Sequence, residues 1–170
     1  ERFEHAQLKL SEVTATYQQF EADQVIFAEG FGLKQNPYFN YLPLQGSKGE
    51  LLTIYAPELD LQQVLKSTVF IIPLGDHRYR VGATYDNHRL NNLPTEAARN
   101  YLLERLRKFL KVDFEVEAHV AGVRPSVSDR KPLVGRHPQH AQLAVLNGFG
   151  SRGVMIAPFA ADALYQNLFE

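Results

Sequence analysis

Two stretches of this 170-residue chain combine residue types that can do chemistry. The first reads Asn147-Gly148-Phe149-Gly150-Ser151-Arg152-Gly153-Val154 and lies between a short apolar run, Leu143 to Leu146, and an apolar segment containing Leu164 and Leu168. Its three glycines therefore fall at a strand-to-helix turn. Glycine there permits positive φ and lets a flat ligand approach the backbone, while the unpaired N–H groups of a starting helix attract negative charge. The second stretch reads Ala121-Gly122-Val123-Arg124-Pro125 and continues as Asp129-Arg130-Lys131-Pro132-Leu133-Val134-Gly135-Arg136. Arg124 offers a planar fork that matches a carboxylate and keeps its proton, and Pro125 biases it to an extended backbone that fixes its direction. Read by itself, Arg124 serves equally as half of an ordinary ion pair. Arg152 serves equally as a ligand contact or as a helix-entry arginine bonded to a carbonyl.

Other chemistries find no support. The histidines at 5, 77, 88, 119, 137 and 140 form no metal-ligand pair on a helix, and His137-x-x-His140 sits in a proline-containing loop that predicts two solvated side chains. Ser, His and Asp residues show no nucleophile-elbow pattern. No metal site, hydrolytic centre or catalytic side chain is singled out.

The elements that must position these stretches follow from periodicity. Residues 3–10 and 13–20 alternate as half-exposed strands, whereas Gln24-Val25-Ile26-Phe27-Ala28 is an unbroken apolar run expected at the centre of a sheet. Residues 36–44 read as a crossover, and Gln45 to Glu50 as a turn with a solvated Lys48 before a strand at 51–55. A hairpin is expected from strands at 68–74 and 79–85 around Gly75-Asp76-His77-Arg78. Thr95 is a plausible N-cap for a helix over 95–110 that carries its charges on a solvated side. Alternation from Val112 to Val120 predicts a long strand delivering Arg124. The last helix, from Val154 or Pro158 to Phe169, is apolar all round at its start and is expected to be buried, with Pro158 confined to its opening turn.

Composition narrows the class. A hydrophobic fraction of 45% can form one sizeable core or two small ones, and a net charge of -1 gives no footprint for nucleic acid or an anionic membrane surface. No apolar run reaches the length of a membrane span. The absence of cysteine fits a reducing cytosol, so a cytoplasmic protein is expected. The single methionine is Met155, which predicts that the chain is a piece of a longer protein.

Taken together, Gly122-Val123-Arg124-Pro125, Asp129 ahead of Pro132-Leu133-Val134-Gly135, and the glycine-rich turn resemble the C-terminal signature of the FAD-dependent D-amino-acid oxidase and glycine oxidase-like family. Val81-Gly82-Ala83-Thr84 and the strand end Ala28-Glu29-Gly30 resemble further parts of it. The resemblance implies an α+β fold: part of an α/β-type flavin domain at 1–35 and 117–170, and an antiparallel substrate domain at 36–116. The N-terminal Rossmann half is missing, since no Gly-x-Gly-x-x-Gly occurs. It implies oxidation of the C–N bond of a small amino acid or secondary amine by hydride transfer to FAD, which the fragment alone need not retain. Gly46, Gly148, Gly150, Ser151, Arg152, Gly153 and Val154 would contact the cofactor, and Arg124, Arg152 and Phe70 the substrate. Phe70 stands where members often carry a tyrosine, so a substrate hydrogen bond is lost. Two alternatives stay open: the branch that modifies the tRNA wobble uridine, and a non-catalytic fragment or scaffold without cofactor. The expected partners are the amine substrate, the absent N-terminal half, and a second copy of the chain through the exposed cofactor-facing surface.

Overall fold

A computed structural model describes residues 3–169. The chain is α+β and separates into two compact units. One comprises the chain up to Gly46 together with the chain from Arg124 onward, and the other spans Ser47–Val123. Both crossings lie within long strands.

In the first unit, β1 (Lys9–Leu10), β2 (Ala15–Tyr17) and β3 (Phe20–Ala22) form a small antiparallel meander, with Gln18 at φ 53 in its tight turn. The segment 3–10 is thus mostly a short 3-10 turn, His5–Gln7, with only two residues of strand. β4 (Val25–Phe27) pairs in parallel with a later strand, β11. The expectation that β4 is central is corrected: among the described residues β10, β11 and β4 lie in that order, so β4 is an edge there, and Ile26 is 45% exposed. An unbroken apolar run specifies two faces meant for burial, and among the described residues only the Phe27 face is covered.

The second unit is built on a five-stranded sheet in the order β6-β7-β8-β5-β9. Its members are β5 (Leu44–Tyr55), β6 (Leu65–Lys66), β7 (Phe70–Gly75), β8 (Arg78–Gly82) and β9 (Glu115–Val127). The β7–β8 hairpin turns through Asp76 and His77, both at positive φ, as a tight hairpin with right-handed strand twist requires. Leu52, Ile54, Ile71, Tyr79 and Val81 point to one face of the sheet and pack with Leu102 and Leu106 of α1 (Glu96–Arg107). Thr95 caps α1, its hydroxyl accepting from the Ala98 N–H.

Back in the first unit, β10 (Leu133–Arg136) pairs antiparallel with β11 (Leu143–Asn147), which leads to α2 (Gly153–Phe169). β11 is covered on both faces: Leu143 and Val145 join a core with Phe27, Leu33 and Phe39, while Ala144 packs with Leu164 and Leu168 of α2. Two expectations about α2 are corrected. Helix begins five residues ahead of Pro158, which interrupts only the bond to the Val154 carbonyl. The opening of α2 is also not buried, with Val154 96%, Met155 81% and Phe159 77% exposed. Ala160, Leu164 and Leu168 are the buried residues of α2, and the two leucines pack on Ala144, Val134 and Leu146. Among the described residues no helix is long and apolar enough to cross a membrane.

Candidate functional site

The glycine-rich turn follows β11 and is held by three contacts within its own unit. Asn147, 2% exposed, donates from Nδ2 to the Gly30 carbonyl at 2.9 Å and accepts the Gly148 N–H at 2.8 Å. It thereby joins the carboxyl ends of the parallel strands β4 and β11, the place where α/β sheets present their loops to ligands. Gly148 has φ +80, and a Cβ there would lie 2.8 Å from Val127 Cγ2 and 3.1 Å from the Leu133 backbone nitrogen. Gly150, at φ +56, donates its N–H to the Pro125 carbonyl at 2.7 Å.

These contacts divide the expected donor set. The N–H groups of Gly148 and Gly150, expected among the cofactor's donors, are bonded inside the turn in this structure, where both glycines shape it. Met155 N–H closes onto the Arg152 carbonyl at 3.0 Å. Ser151, Gly153 and Val154 remain as the donors at the mouth of α2, where a helix has no internal acceptor to offer them. Ser151, Arg152 and Val154 are exposed. The Arg152 guanidinium donates to the Arg130 carbonyl over a long 3.4 Å, which is the helix-entry role. The mouth is thus lined by donors and by the positive end of the helix, a set that fits an acceptor-rich, electron-accepting ring edge such as that of a flavin.

Arg124 stands half-buried on β9, next to the proline whose carbonyl holds Gly150, so the two chemically informative stretches meet in one unit. Gly46 lies half-buried inside β5; the turn expected over 45–50 is strand. Phe70 belongs to the other unit, on β7, where its ring and Leu51 close over Gly82. A Cβ on Gly82 would come within 2.8 Å of Phe70 Cζ and 2.1 Å of Leu51 Cδ2.

Sequence reasoning missed a buried polar network. Lys48, read as solvated, is 1% exposed and donates to the Leu93 carbonyl at 2.5 Å and to Asn91 Oδ1 at 3.0 Å, with Glu50 Oε1 3.4 Å away. Glu50 accepts from the Thr95 N–H and hydroxyl at 2.8 and 2.9 Å, and His119 Nε2 lies 2.9 Å from it. Burial pushes the Glu50 carboxyl up, but the Thr95 donors and Lys48 outweigh this and hold it below the usual range. The network fastens the 91–95 loop and the start of α1 to β5. Its sequence signal was present: Lys48 and Glu50 share strand parity with the core residues Leu52 and Ile54.

The His137 and His140 pair is also corrected. His137 is 8% exposed, stacks on His140 at 4.8 Å between ring centroids, and accepts the N–H groups of Gln139 and His140 at Nδ1. It closes the loop between β10 and β11. Burial first, then the neighbouring His140, lowers its pKa. Among the described residues no cluster of side chains suits a metal ion.

Known proteins resemble this chain in sequence and in fold. The profile of the FAD dependent oxidoreductase family matches residues 1–166. Glycine oxidase of Bacillus subtilis (strain 168) is 27% identical over 154 residues, covering 86% of this chain and 41% of that protein. A tRNA 5-methylaminomethyl-2-thiouridine biosynthesis bifunctional protein of Azoarcus sp. (strain BH72) is 28% identical over 172 residues, covering 87% and 27%. Among solved structures, iminodiacetate oxidase from Chelativorans sp. BNC1 superposes with a TM-score of 0.79 at 23% identity, over 95% of this chain and 47% of that one. Glycine oxidase from Geobacillus kaustophilus gives 0.73 at 24%, over 88% and 42%. The chain spans less than half the length of these relatives.

Proposed function

Since the chain belongs to the FAD dependent oxidoreductase family, we propose that the protein carrying it oxidises the C–N bond of a small amino acid or secondary amine. The observation that carries this reading is the donor-lined mouth of α2, pinned by Asn147 and Pro125 at the ends of β4 and β11. FAD, when bound, supplies the acceptor for the hydride leaving the substrate α-carbon.

The roles of the chain's own residues follow from their chemistry. Ser151, Gly153 and Val154 present N–H groups, and the α2 dipole adds positive potential where negative charge would develop. Arg152 adds its charge at the same mouth and stands as a second candidate contact for substrate. Arg124 anchors the substrate carboxylate and so orients its α-carbon. Phe70 offers an apolar wall without a hydroxyl, and Gly46 lets the backbone of β5 be approached closely. No residue is required as a general base, because an amine that arrives neutral can lose hydride directly. The dinucleotide-cradling half is contributed by sequence outside these 170 residues, and a cytoplasmic location is part of the same reading.

The similarity to the tRNA biosynthesis protein supports a second reading, in which the amine is a glycine-like group on a wobble uridine. Both readings are tested by loading the full-length protein with FAD, desalting, and following the flavin's visible band. Bleaching by glycine, sarcosine or a D-amino acid under anaerobic conditions, lost on Arg124→Ala, is the expected result. Bleaching only by the modified tRNA selects the second reading. A flavin that neither substrate class bleaches overturns both and leaves a non-catalytic scaffold.

A further inference from the structure

The sheet of residues 47–123 has a second face, turned away from α1. Strand pairing defines it in two adjacent rows, Leu51-Gly82-Phe70 and Thr53-Arg80-Ile72. Tyr55 and Arg78 are paired in the next row, where Arg78 is neutralised: its Nε and Nη2 donate to Glu117 at 2.9 and 3.1 Å, and its guanidinium lies over the Tyr55 ring. Arg80 stands two residues on along the same face. Its Nε is shut off from solvent and meets no hydrogen-bond acceptor among the described residues, and its cross-strand neighbours are the uncharged Thr53 and Ile72.

Removing part of a guanidinium from water without a partner is unfavourable, so such a group calls for an explanation outside the contacts already made. The neighbours narrow what would supply it. Phe70, Ile72 and Leu51 are part-buried apolar surface beside the cation, which suits a small organic acid: hydrocarbon against the rings and branched chains, acid group on the guanidinium. We propose that Arg80 is a carboxylate anchor on this sheet face, a second one besides Arg124. This rests on the amine-oxidation reading and narrows its substrates to amino acids that bear a second acid group.

The test needs no flavin, so it fails or succeeds separately from that reading. In the purified, 15N-labelled chain the arginine Nε–Hε resonances are followed during titration with malonate and with acetate, Arg80 being identified by its loss in Arg80→Lys. The expected result is a saturable shift of the Arg80 resonance at concentrations at least about tenfold below those that move the exposed Arg107 and Arg130, absent from no repeat with either acid. The remaining shifts should stay unresponsive in Arg80→Gln, whose amide spectrum otherwise reports an intact fold. An Arg80 resonance that moves no more steeply than Arg107, or saturable shifts elsewhere that persist in Arg80→Gln, overturns the assignment. Failure here alongside amine-dependent bleaching of the loaded protein leaves the proposed oxidation standing. An Arg80 response in a protein that no amine bleaches does the reverse.

Discussion

Asn147 donates to the carbonyl of Gly30 at 2.9 Å, and this one bond ties together the turns that follow two parallel strands distant in sequence. The same amide holds the Gly148 N–H. Asn147→Ala leaves a buried acceptor and a buried donor unpaired, at a cost of about 1–3 kcal/mol. Asn147→Asp keeps the acceptor but sets a carboxylate against the Gly30 carbonyl, and should cost more. Urea midpoints of the two variants check this order, and equal midpoints would remove the bridge from the account.

Gly148 and Gly82 both stand where a Cβ would collide, yet the costs should differ. At Gly82 the obstacles are the tips of the Leu51 and Phe70 side chains, which can rotate. At Gly148 the Leu133 backbone nitrogen lies 3.1 Å away and φ is +80, so both space and backbone are strained. Gly148→Ala is expected to lose roughly 1–3 kcal/mol or more, exceeding Gly82→Ala, as thermal melts of the pair will report.

Glu50→Gln deprives the buried Lys48 of its nearby carboxylate. A buried charge stripped of its partner costs on the order of 3–5 kcal/mol, whereas Lys48→Met leaves Glu50 its two Thr95 donors and the neighbouring His119 and should cost less. Because the folded Glu50 pKa is depressed, its contribution is full above the unfolded carboxylate pKa and is lost as pH falls through the folded value. Wild type should therefore lose stability on acidification below about pH 4.5 more steeply than Glu50→Gln does, measured by denaturant midpoint at each pH.

His137 behaves with the opposite charge but the same direction of pH. Its folded pKa is lowered by burial, so the unfolded chain takes up a proton first, and stability falls as pH drops below the unfolded value of about 6.5. Protonation would also remove the acceptor that Nδ1 gives to Gln139 and His140. Between pH 7.5 and 5.5 the wild-type urea midpoint should decline, and in His137→Asn that decline should be shallower.

At the opening of α2, Met155 and Phe159 expose apolar surface that the sheet does not cover. Glutamate at both positions should weaken self-association in sedimentation velocity while leaving the melting temperature nearly unchanged. A large drop in melting temperature would mean that these side chains pack within the fold.

Much of this architecture was legible because local chemistry and tertiary structure agree. Gly75-Asp76-His77-Arg78 turns where its residues tolerate positive φ, and Thr95 caps the helix it precedes. What escaped depended on partners distant in sequence. Lys48 in a Gly-Ser-Lys-Gly context looks solvated until Asn91 and Leu93 arrive to receive it. His137 looks like a loop residue until Tyr38 and Phe39 surround it. At the candidate site the sequence shows the glycines and arginines, but not which N–H groups are bonded within the turn. That depended on Pro125 and Asn147 claiming two of them.

The middle unit leaves the chain within β5 and rejoins it within β9, and these strands are neighbours in one sheet. The whole insertion interrupts the path of the outer unit between β4 and β11. Once ordered, it takes the place of a long flexible loop between β4 and β11, and so lowers the entropy lost when those strands pair.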